Sequence, residues 1–271
     1  IPLTDSKGEH LPAGSRKGIL RGDFGQSISL SPRLVLDVLI ERLPATLELG
    51  VSALFIGLIV GVVVGILAAV NHDKWFDHVT RILAVVFDSV PIFFLGLILL
   101  LLFGKYLGWV PIGDRCDLST IAKVRAGCPP MFQRLEYLVL PTFILATQGI
   151  GGYSRYMRAA MLDVVAQDYV RTARAKGLTE RQVWFKHGAR NALIPIATFI
   201  GPAITGLLGG AVITETIFNW PGVGRTTVAA VVGRDYPMVM AVTVYVGLAT
   251  ILGYLLSDVL YGLIDPRIRF N

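Results

Sequence analysis

The stretch TLELGVSALFIGLIVGVVVGILAAV, residues 46–70, decides the fold class. It carries one charged side chain, Glu48, and it exceeds the roughly 20 apolar residues that a helix needs to cross a bilayer. Five such blocks in 271 residues are improbable for a soluble protein. The sequence therefore predicts an all-α membrane protein, a polytopic helical bundle with five visible spans. The other four blocks lie near residues 79–104, 136–157, 191–214 and 238–262.

The composition supports this class and excludes others. Hydrophobic residues make up 54% of the chain and charged residues 16%, against roughly 25% charged in an average soluble domain. So much apolar surface excludes a disordered chain, and two cysteines are too few for a disulfide scaffold. The net charge of +6 is typical of a membrane protein with basic cytoplasmic loops, and we expect no nucleic-acid partner.

The distribution of lysine and arginine predicts the orientation of the spans. The loops that we assign to the cytoplasm hold 12 basic residues in 56 positions, whereas the opposite loops hold 7 in 54. Basic residues accumulate in cytoplasmic loops, so we expect the amino terminus outside and the carboxyl terminus in the cytoplasm. The cytoplasmic set comprises residues 71–81, 155–190 and 263–271, and the opposite set comprises residues 105–135 and 215–237.

Two regions follow from this topology. Residues 1–45 are polar, are interrupted by glycine and proline, and have no cleavable signal-peptide pattern, so we expect an extracytoplasmic amino-terminal segment. Residues 46–271 are expected to form the transmembrane domain. A polar segment outside the membrane needs a span that leads there, so we expect a first span upstream and six spans in the complete protein.

Small residues four apart mark one face of the first span. Gly57, Gly61 and Gly65 follow the pattern Gly-x3-Gly-x3-Gly, which lets the backbone of another helix approach closely. The stripe indicates either ordinary helix packing or a seam that slides between two transporter states.

Asp88 and Pro91 interrupt the second span. Proline removes a backbone hydrogen bond and favours a kink, and a carboxylate in lipid is costly unless it faces protein or water. Either these residues line a translocation pathway, or Asp88 is a structural carboxylate that a neighbouring helix satisfies. We expect no charge pairs within the spans, which counts against a secondary transporter.

Residues 158–190 form the most informative segment. The basic run RTARAK, residues 171–176, is followed by Gly177, the residue expected where a helix ends in a left-handed conformation. Thr179 and Gln182 then match a capping box, which begins a new helix. The segment predicts two short helices joined by a tight bend, a shape suited to docking on a partner protein. A basic surface that attracts anionic lipid is the alternative.

Cys116 and Cys128 lie in the same predicted outer loop. An oxidising compartment permits a disulfide between them, and two unpaired thiols are the alternative. Closing a loop of this size contributes about 3 kcal/mol in the chain-entropy model.

The sequence contains no elements of a catalytic centre. It has no G-x-x-x-x-G-K-[ST] phosphate loop, and its four histidines lie in three separate segments without metal-ligand spacing. We recognise no nucleophile and base at a suitable spacing. The chain is therefore expected to be no enzyme, to bind no metal or cofactor, and to leave ATP hydrolysis to other subunits.

The run TARAKGLTERQVWFKHGARNALIP, residues 172–195, resembles the cytoplasmic "EAA" signature of ABC-importer permeases. More narrowly it is similar to the dipeptide, oligopeptide and nickel class, and it matches the B-type subunit of dipeptide permeases best. Arg171 and Arg190 stand where the general pattern has glutamate and proline. Further matching stretches are GDFGQSIS (22–29), IERLPATLELG (40–50), DYVRTARAKGL (168–178), TETIFNWPGVGR (214–225), RDYP (234–237) and LYGLIDPRIRF (260–270).

The resemblance implies a type I ABC-importer permease in the bacterial cytoplasmic (inner) membrane. Its function is the ATP-driven import of di- and oligopeptides by alternating access. The implied partners are a homologous second permease, two ATP-binding subunits that hold ATP and Mg, an extracytoplasmic substrate-binding protein and membrane lipid. The residues implied in coupling to the ATPase are Arg171, Thr172, Ala173, Ala175, Lys176, Gly177 and Leu178.

Other functions remain in competition with this one. Within the family, the alternatives are a subunit of a nickel-chelate or glutathione importer, and an exporter of the same architecture is a further one. Outside it, the alternatives are an ATP-independent secondary transporter or channel, and a structural membrane scaffold. The sharply delimited segment 158–190 counts against a scaffold.

Overall fold

A computed structural model describes residues 23–29, 33–117, 119, 127–193, 196, 199–209 and 211–264. Expectations for residues 1–22 and 265–271 lie outside this range. The described parts are helices joined by loops, with an isolated β-bridge between Gln26 and Leu34. The helices are α1 (Val35–Val70), α2 (Trp75–Ser89), α3 (Ile92–Leu99), α4 (Leu135–Val165), α5 (Asp168–Ala175), α6 (Glu180–Gln182), α7 (Ala189–Ala192), α8 (Ile200–Gly209), α9 (Val212–Ile217), α10 (Val223–Val232) and α11 (Tyr236–Ile264).

Two regions of π-helix extend these elements. Residues Leu100–Tyr106 continue α3, and residues Val183–Gly188 join α6 to α7. Each π-helix widens the helical turn by one residue. The second one lies in the segment that the sequence singled out for docking.

The predicted spans correspond to helices, but their boundaries differ. Helix α1 begins at Val35 rather than Thr46, because the apolar side of its first turns is buried. The predicted span 79–104 is divided at Val90 and Pro91, where the two helical pieces are bent by 97°. This confirms the kink expected from Pro91. The predicted span 191–214 is divided among α7, α8 and α9 rather than forming one helix.

Among the described helices, two are long and apolar enough to cross a membrane, Val35–Val70 and the stretch Tyr236–Val259. The bent pair Trp75–Ser89 and Ile92–Tyr106 makes a third if it is one span. Helix α4 is long enough, but polar groups that include Gln148, Arg155 and Arg158 interrupt its apolar surface.

The chain divides into two compact units. The first comprises residues 1–50, 96–141 and 206–251, and the second comprises residues 51–95, 142–205 and 252–271. The core of the first unit joins the start of α1 to α10 and α11. Its buried members are Val35, Val38, Leu39, Val223, Ala230, Met238, Ala241 and Val242.

In the second unit, the glycine stripe of α1 packs against α4. A methyl group at Gly57 would lie 3.4 Å from the carbonyl oxygen of Ala146, and one at Gly65 would lie 2.6 Å from that of Ser154. The close approach that the Gly-x3-Gly pattern predicts is therefore confirmed. A second core in this unit joins α1, α4 and α7 through Ile66, Ala69, Met157, Met161, Ala189, Ala192 and Ile196.

Candidate coupling site

Residues 168–192 form a helical hairpin, which we call the coupling hairpin, whereas residues 158–165 of the predicted segment 158–190 continue α4. Helix α5 ends at Ala175, and Gly177 turns the chain with φ +78°, a region that glycine enters without steric cost. Thr179 then caps the next helix, since its hydroxyl accepts from the Gln182 amide at 3.4 Å and the Gln182 side chain accepts from the Thr179 amide at 3.2 Å. The two short helices and the tight bend are confirmed.

A small apolar core holds the two arms of the hairpin together. Val170 and Val183 are fully buried and face each other from the two arms, together with Ala173. Val164 and Val165 of α4 pack on this core. This core therefore joins the two arms to each other and connects the hairpin to the end of α4.

The residues implied in ATPase coupling divide into an outer surface and an inner support. Ala173 is only 6% exposed, so its side chain supports the hairpin from inside and is not available for contact. Leu178 is half-buried against the same core. The exposed members are Arg171, Thr172, Ala175, Lys176 and Gly177.

Glu180 links the arms on the solvent side, a role that the sequence analysis missed. It accepts from Arg174 Nε at 3.0 Å and from Trp184 Nε1 at 3.0 Å. Arg174 therefore has a local counter-charge, whereas Lys176 has no ion pair in the described part of the chain. The bend thus presents positive charge next to Gly177.

The two residues singled out in the second span lie at the end of α2. Asp88 forms an ion pair with Arg155 of α4, and a methyl group at Gly151 would lie 3.1 Å from Asp88 Oδ1. This pairing favours the structural interpretation of Asp88. It also shows that our expectation of no charge pairs within the spans was wrong, because Arg155 belongs to the predicted span 136–157. The role of Asp88 and Pro91 in a pathway stays a prediction.

A second pair of opposite charges joins α2 to α4. Asp77 is buried, and both of its carboxylate oxygens accept from Arg158. His72 and Asp73 lie close enough to Asp77 for their ligand atoms to fall within 4.8 Å of one another. Because Arg158 occupies the Asp77 carboxylate, we assign an ion pair to this group and no metal site.

Cys116 and Cys128 form a disulfide, with their Cα atoms 5.6 Å apart. They border a cleft of about 500 Å³ that also includes Tyr137 and Arg225. Next to Cys116, Arg115 donates to the Glu48 carboxylate at 2.5 Å, and Arg134 donates to it at 2.8 Å. The disulfide therefore holds the loop beside a buried carboxylate with two arginine partners.

Reduction of the Cys116–Cys128 disulfide is expected to produce two thiols that are not available for reaction in the oxidised protein. Under non-reducing conditions, a thiol-reactive polyethylene glycol should add no mass to the detergent-solubilised chain. After treatment with dithiothreitol it should add two equivalents, because Cys116 and Cys128 are the two cysteines of this sequence. Two equivalents without reductant contradict the bridge, and Cys116→Ser provides a control that should add one equivalent in either state.

Two stretches that are far apart in the sequence meet around a buried carboxylate. Glu215 is fully buried and accepts from the Thr46 hydroxyl at 2.9 Å and the Arg225 amide at 3.0 Å. The Thr46 hydroxyl also accepts from the Val223 amide at 2.8 Å, and the buried Trp220 donates to the Ala45 carbonyl at 2.8 Å. Residues of the motifs 40–50 and 214–225 therefore form one hydrogen-bonded polar cluster around Glu215.

A similar contact joins residues 22–29 to residues 234–237. Asp235 accepts from the Ser27 hydroxyl, from the Ser29 hydroxyl at 2.9 Å and from the Ser29 amide at 3.1 Å. It also accepts from the Met238 amide at 3.3 Å, in the first turn of α11. Burial alone would raise the pKa of Asp235, but hydrogen bonds from Ser27 and Ser29 outweigh it and hold the pKa below its usual value.

Asp235→Asn is expected to destabilise the protein at neutral pH by about 2 kcal/mol, because hydrogen bonds to a charged acceptor are lost. The lowered pKa of Asp235 makes the wild-type contribution complete above the unfolded-state pKa near 4. That contribution is lost as the pH falls further, through the pKa of the folded state. Melting midpoints between pH 7 and pH 3 should therefore converge for the two proteins in acid. A constant difference across this range contradicts the assignment.

This chain matches a protein-family model over most of its length. The model described as "Binding-protein-dependent transport system inner membrane component" matches residues 61–270. This range includes the coupling hairpin, residues 214–225 around Glu215 and the whole of α11.

Curated proteins of similar sequence are permease proteins. The oligopeptide transport system permease protein AppB of Bacillus subtilis is 40% identical over 252 residues, with 93% of this chain and 78% of the relative covered. The dipeptide transport system permease protein DppB of Escherichia coli K12 is 38% identical over 269 residues, with the same coverage. The probable D,D-dipeptide permease protein DdpB of the same strain is 40% identical over 262 residues.

Among solved structures, a chain of the MetNI methionine ABC transporter is similar, with a TM-score of 0.64 and 17% sequence identity. The match covers 84% of this chain and 96% of that chain. A chain of an amino acid ABC transporter has a TM-score of 0.55 at 18% identity. At these identities the likeness concerns the fold alone.

Proposed function

Since this chain belongs to the family of inner-membrane components of binding-protein-dependent transport systems, we propose that it is one transmembrane subunit of an ATP-driven importer of di- and oligopeptides. The permease relatives named above are about two-fifths identical to it over most of the chain. The substrate class follows from the names of those relatives, which refer to dipeptide and oligopeptide transport.

The coupling hairpin is the observation that carries this proposal. Its bend exposes Arg171, Ala175, Lys176 and Gly177, while Val170 and Val183 fix the two arms from inside. A rigid projecting surface that is packed onto α4 is what a soluble motor subunit needs in order to move the membrane helices. We propose that two ATP-binding subunits, which hold ATP and Mg, supply this motor, and that one of them docks on this surface.

The remaining partners and the orientation follow from the same proposal. The coupling hairpin faces the cytoplasm in the bacterial inner membrane. The disulfide loop then faces the opposite side, where oxidising conditions permit the Cys116–Cys128 bridge. A substrate-binding protein delivers peptide on that side. A homologous second permease completes the pathway, and the exposed apolar faces of α1 and α11 contact lipid.

The test is reconstitution of this chain with the second permease, the ATP-binding subunits and the binding protein encoded beside it. Proteoliposomes that contain ATP should accumulate a radiolabelled dipeptide or tripeptide, and vesicles that contain a non-hydrolysable ATP analogue should not. Ni²⁺-chelate and glutathione serve as competing solutes. Uptake without ATP overturns the importer proposal in favour of a secondary transporter, and competition by glutathione or Ni²⁺-chelate alone overturns the substrate class.

A further inference from the structure

The ion pair between Asp77 and Arg158 is a buried, bidentate contact in the second unit. Arg158 donates through Nε to Asp77 Oδ1 at 2.6 Å and through Nη2 to Oδ2 at 2.7 Å. The Asp77 side chain is 0% exposed and that of Arg158 is 17% exposed. Two parallel hydrogen bonds fix both distance and angle between the partners, which a single bond or an apolar contact does not do.

Further contacts anchor this pair at the start of α2. The Asp73 amide donates to Asp77 Oδ2 at 3.1 Å, so the turn between α1 and α2 is bound to the same carboxylate. Arg81, one turn later on α2, lies 3.8 Å from Asp77 Oδ1. The Asp77 carboxylate is therefore contacted by Asp73 of the α1–α2 turn, by Arg81 of α2 and by Arg158 of α4.

Arg158 lies on the part of α4 that leads into the coupling hairpin. One turn further, Met161 is fully buried with Ala189 and Ala192 of the hairpin's second arm. Val164 and Val165 then pack on the hairpin core around Val170. A continuous series of packed contacts thus runs from the exposed bend to Arg158, and from Arg158 to α2.

A second ion pair connects α2 to α4 near the other end of α2. Asp88, near the end of α2, pairs with Arg155, only three residues before Arg158. Asp77 and Asp88 are eleven residues apart, which is about three helical turns and places them on one face of α2. Ion pairs therefore connect α2 to α4 near both of its ends, before the break at Val90 and Pro91.

Stability alone does not account for the buried pair. Taking two charges out of water can cost more than the ion pair returns, so well-packed apolar residues in the same place are often neutral or stabilising. A buried bidentate pair instead fixes one arrangement of the elements that carry it. The geometry therefore points to a mechanical role.

We propose that Asp77 and Arg158 are positioning residues for coupling, through which displacement of the coupling hairpin reaches α2. This inference rests on the proposed function. Neither residue contacts ATP or peptide in this role. Their removal uncouples the two events, so that the ATPase continues to turn over while less peptide is carried for each ATP hydrolysed.

The test replaces both charged residues by leucine, Asp77→Leu with Arg158→Leu, in the reconstituted complex. The double change avoids the uncompensated buried charge that either single change leaves, so we expect normal assembly. Peptide uptake per ATP hydrolysed should fall by at least about fivefold, the lower range of coupling between distant sites. A matched control removes an exposed pair in the other unit, Arg33→Leu with Glu41→Leu, and should leave this ratio unchanged.

Each outcome decides the inference. Equal ratios in the double Leu variant and the wild type overturn it, because a merely structural pair changes the amount of complex and not the ratio. If the double variant does not assemble, Arg158→Lys keeps the charge but loses the bidentate geometry, and a wild-type ratio in that variant overturns the inference. If the wild-type complex imports no peptide with ATP, the proposed function fails and the inference falls with it.

Discussion

Replacing Gly177 with valine is expected to abolish ATP-coupled peptide uptake while the protein still inserts in the membrane. Gly177 has φ +78°, a conformation that costs an ordinary L-residue roughly 1–2 kcal/mol and a β-branched residue more. Among the described residues, apart from its chain neighbours, no atom lies within 4 Å of the position that a Cβ atom would take at Gly177. The penalty therefore falls on the bend itself, and the exposed surface beside it is displaced.

We expect uptake in proteoliposomes to fall to the level of vesicles without ATP, a loss of at least about tenfold, since about 1.4 kcal/mol corresponds to a factor of ten. Gly108 supplies a matched control because it also has a positive φ, +63°. An added Cβ atom at Gly108 would have no atom of a described, non-neighbouring residue within 4 Å. Gly108 lies far along the chain from the hairpin. Gly108→Val should carry a similar backbone penalty and retain coupling. Normal uptake by Gly177→Val shows that the bend does not transmit ATPase motion.

The second large effect is expected at the glycine stripe of α1, where alanine substitutions should become more harmful from Gly57 to Gly65. A methyl group at Gly57 meets its nearest neighbour at 3.4 Å, an ordinary contact, whereas one at Gly61 lies 2.8 Å from Tyr153 Cβ. At Gly65 the methyl lies 2.6 Å from the Ser154 carbonyl oxygen and 2.7 Å from Met157 Cβ. Backbone atoms and Cβ atoms cannot rotate away, so α1 and α4 must separate.

Overpacking of this kind costs about 1–3 kcal/mol, and the melting midpoint of the purified protein reports it. Gly57→Ala should melt near the wild-type temperature, Gly61→Ala below it, and Gly65→Ala lowest or not fold. Gly152→Ala on α4 controls for the loss of glycine as such, because an added Cβ atom there would have no described residue outside its own helical turn within 4 Å. Equal melting midpoints for Gly57→Ala and Gly65→Ala contradict the prediction that destabilisation increases from Gly57 to Gly65.

The sequence predicted the elements whose signals are local. The apolar blocks predicted the helices, the glycine stripe predicted the close approach of another backbone, and Pro91 predicted the break in the second span. Gly177 and Thr179 predicted the ends of two hairpin helices, because a left-handed residue and a capping box act over three or four residues. The family was identified by resemblance to known permeases, because no local signal such as a cap or a glycine stripe identifies a family.

The sequence did not predict which residues contact each other across long separations. Thr46 meets Glu215 across 169 positions, Ser27 meets Asp235 across 208, and Arg158 meets Asp77 across 81. The expectation that the spans contain no charge pairs was wrong for the same reason. Each residue is visible in the sequence, but its partner depends on how the helices are rotated.

The start of α1 at Val35 gives a further example. Residues Val35, Val38 and Leu39 lie in a segment that the sequence placed in the polar amino-terminal region, and α11 buries them through Met238 and Val242. Hydropathy along the chain therefore determined that this protein consists of membrane helices, and two local signals determined the hairpin bend. Only the tertiary structure decided which faces of those helices meet, because rotation and register depend on side-chain packing between segments that are distant in the sequence.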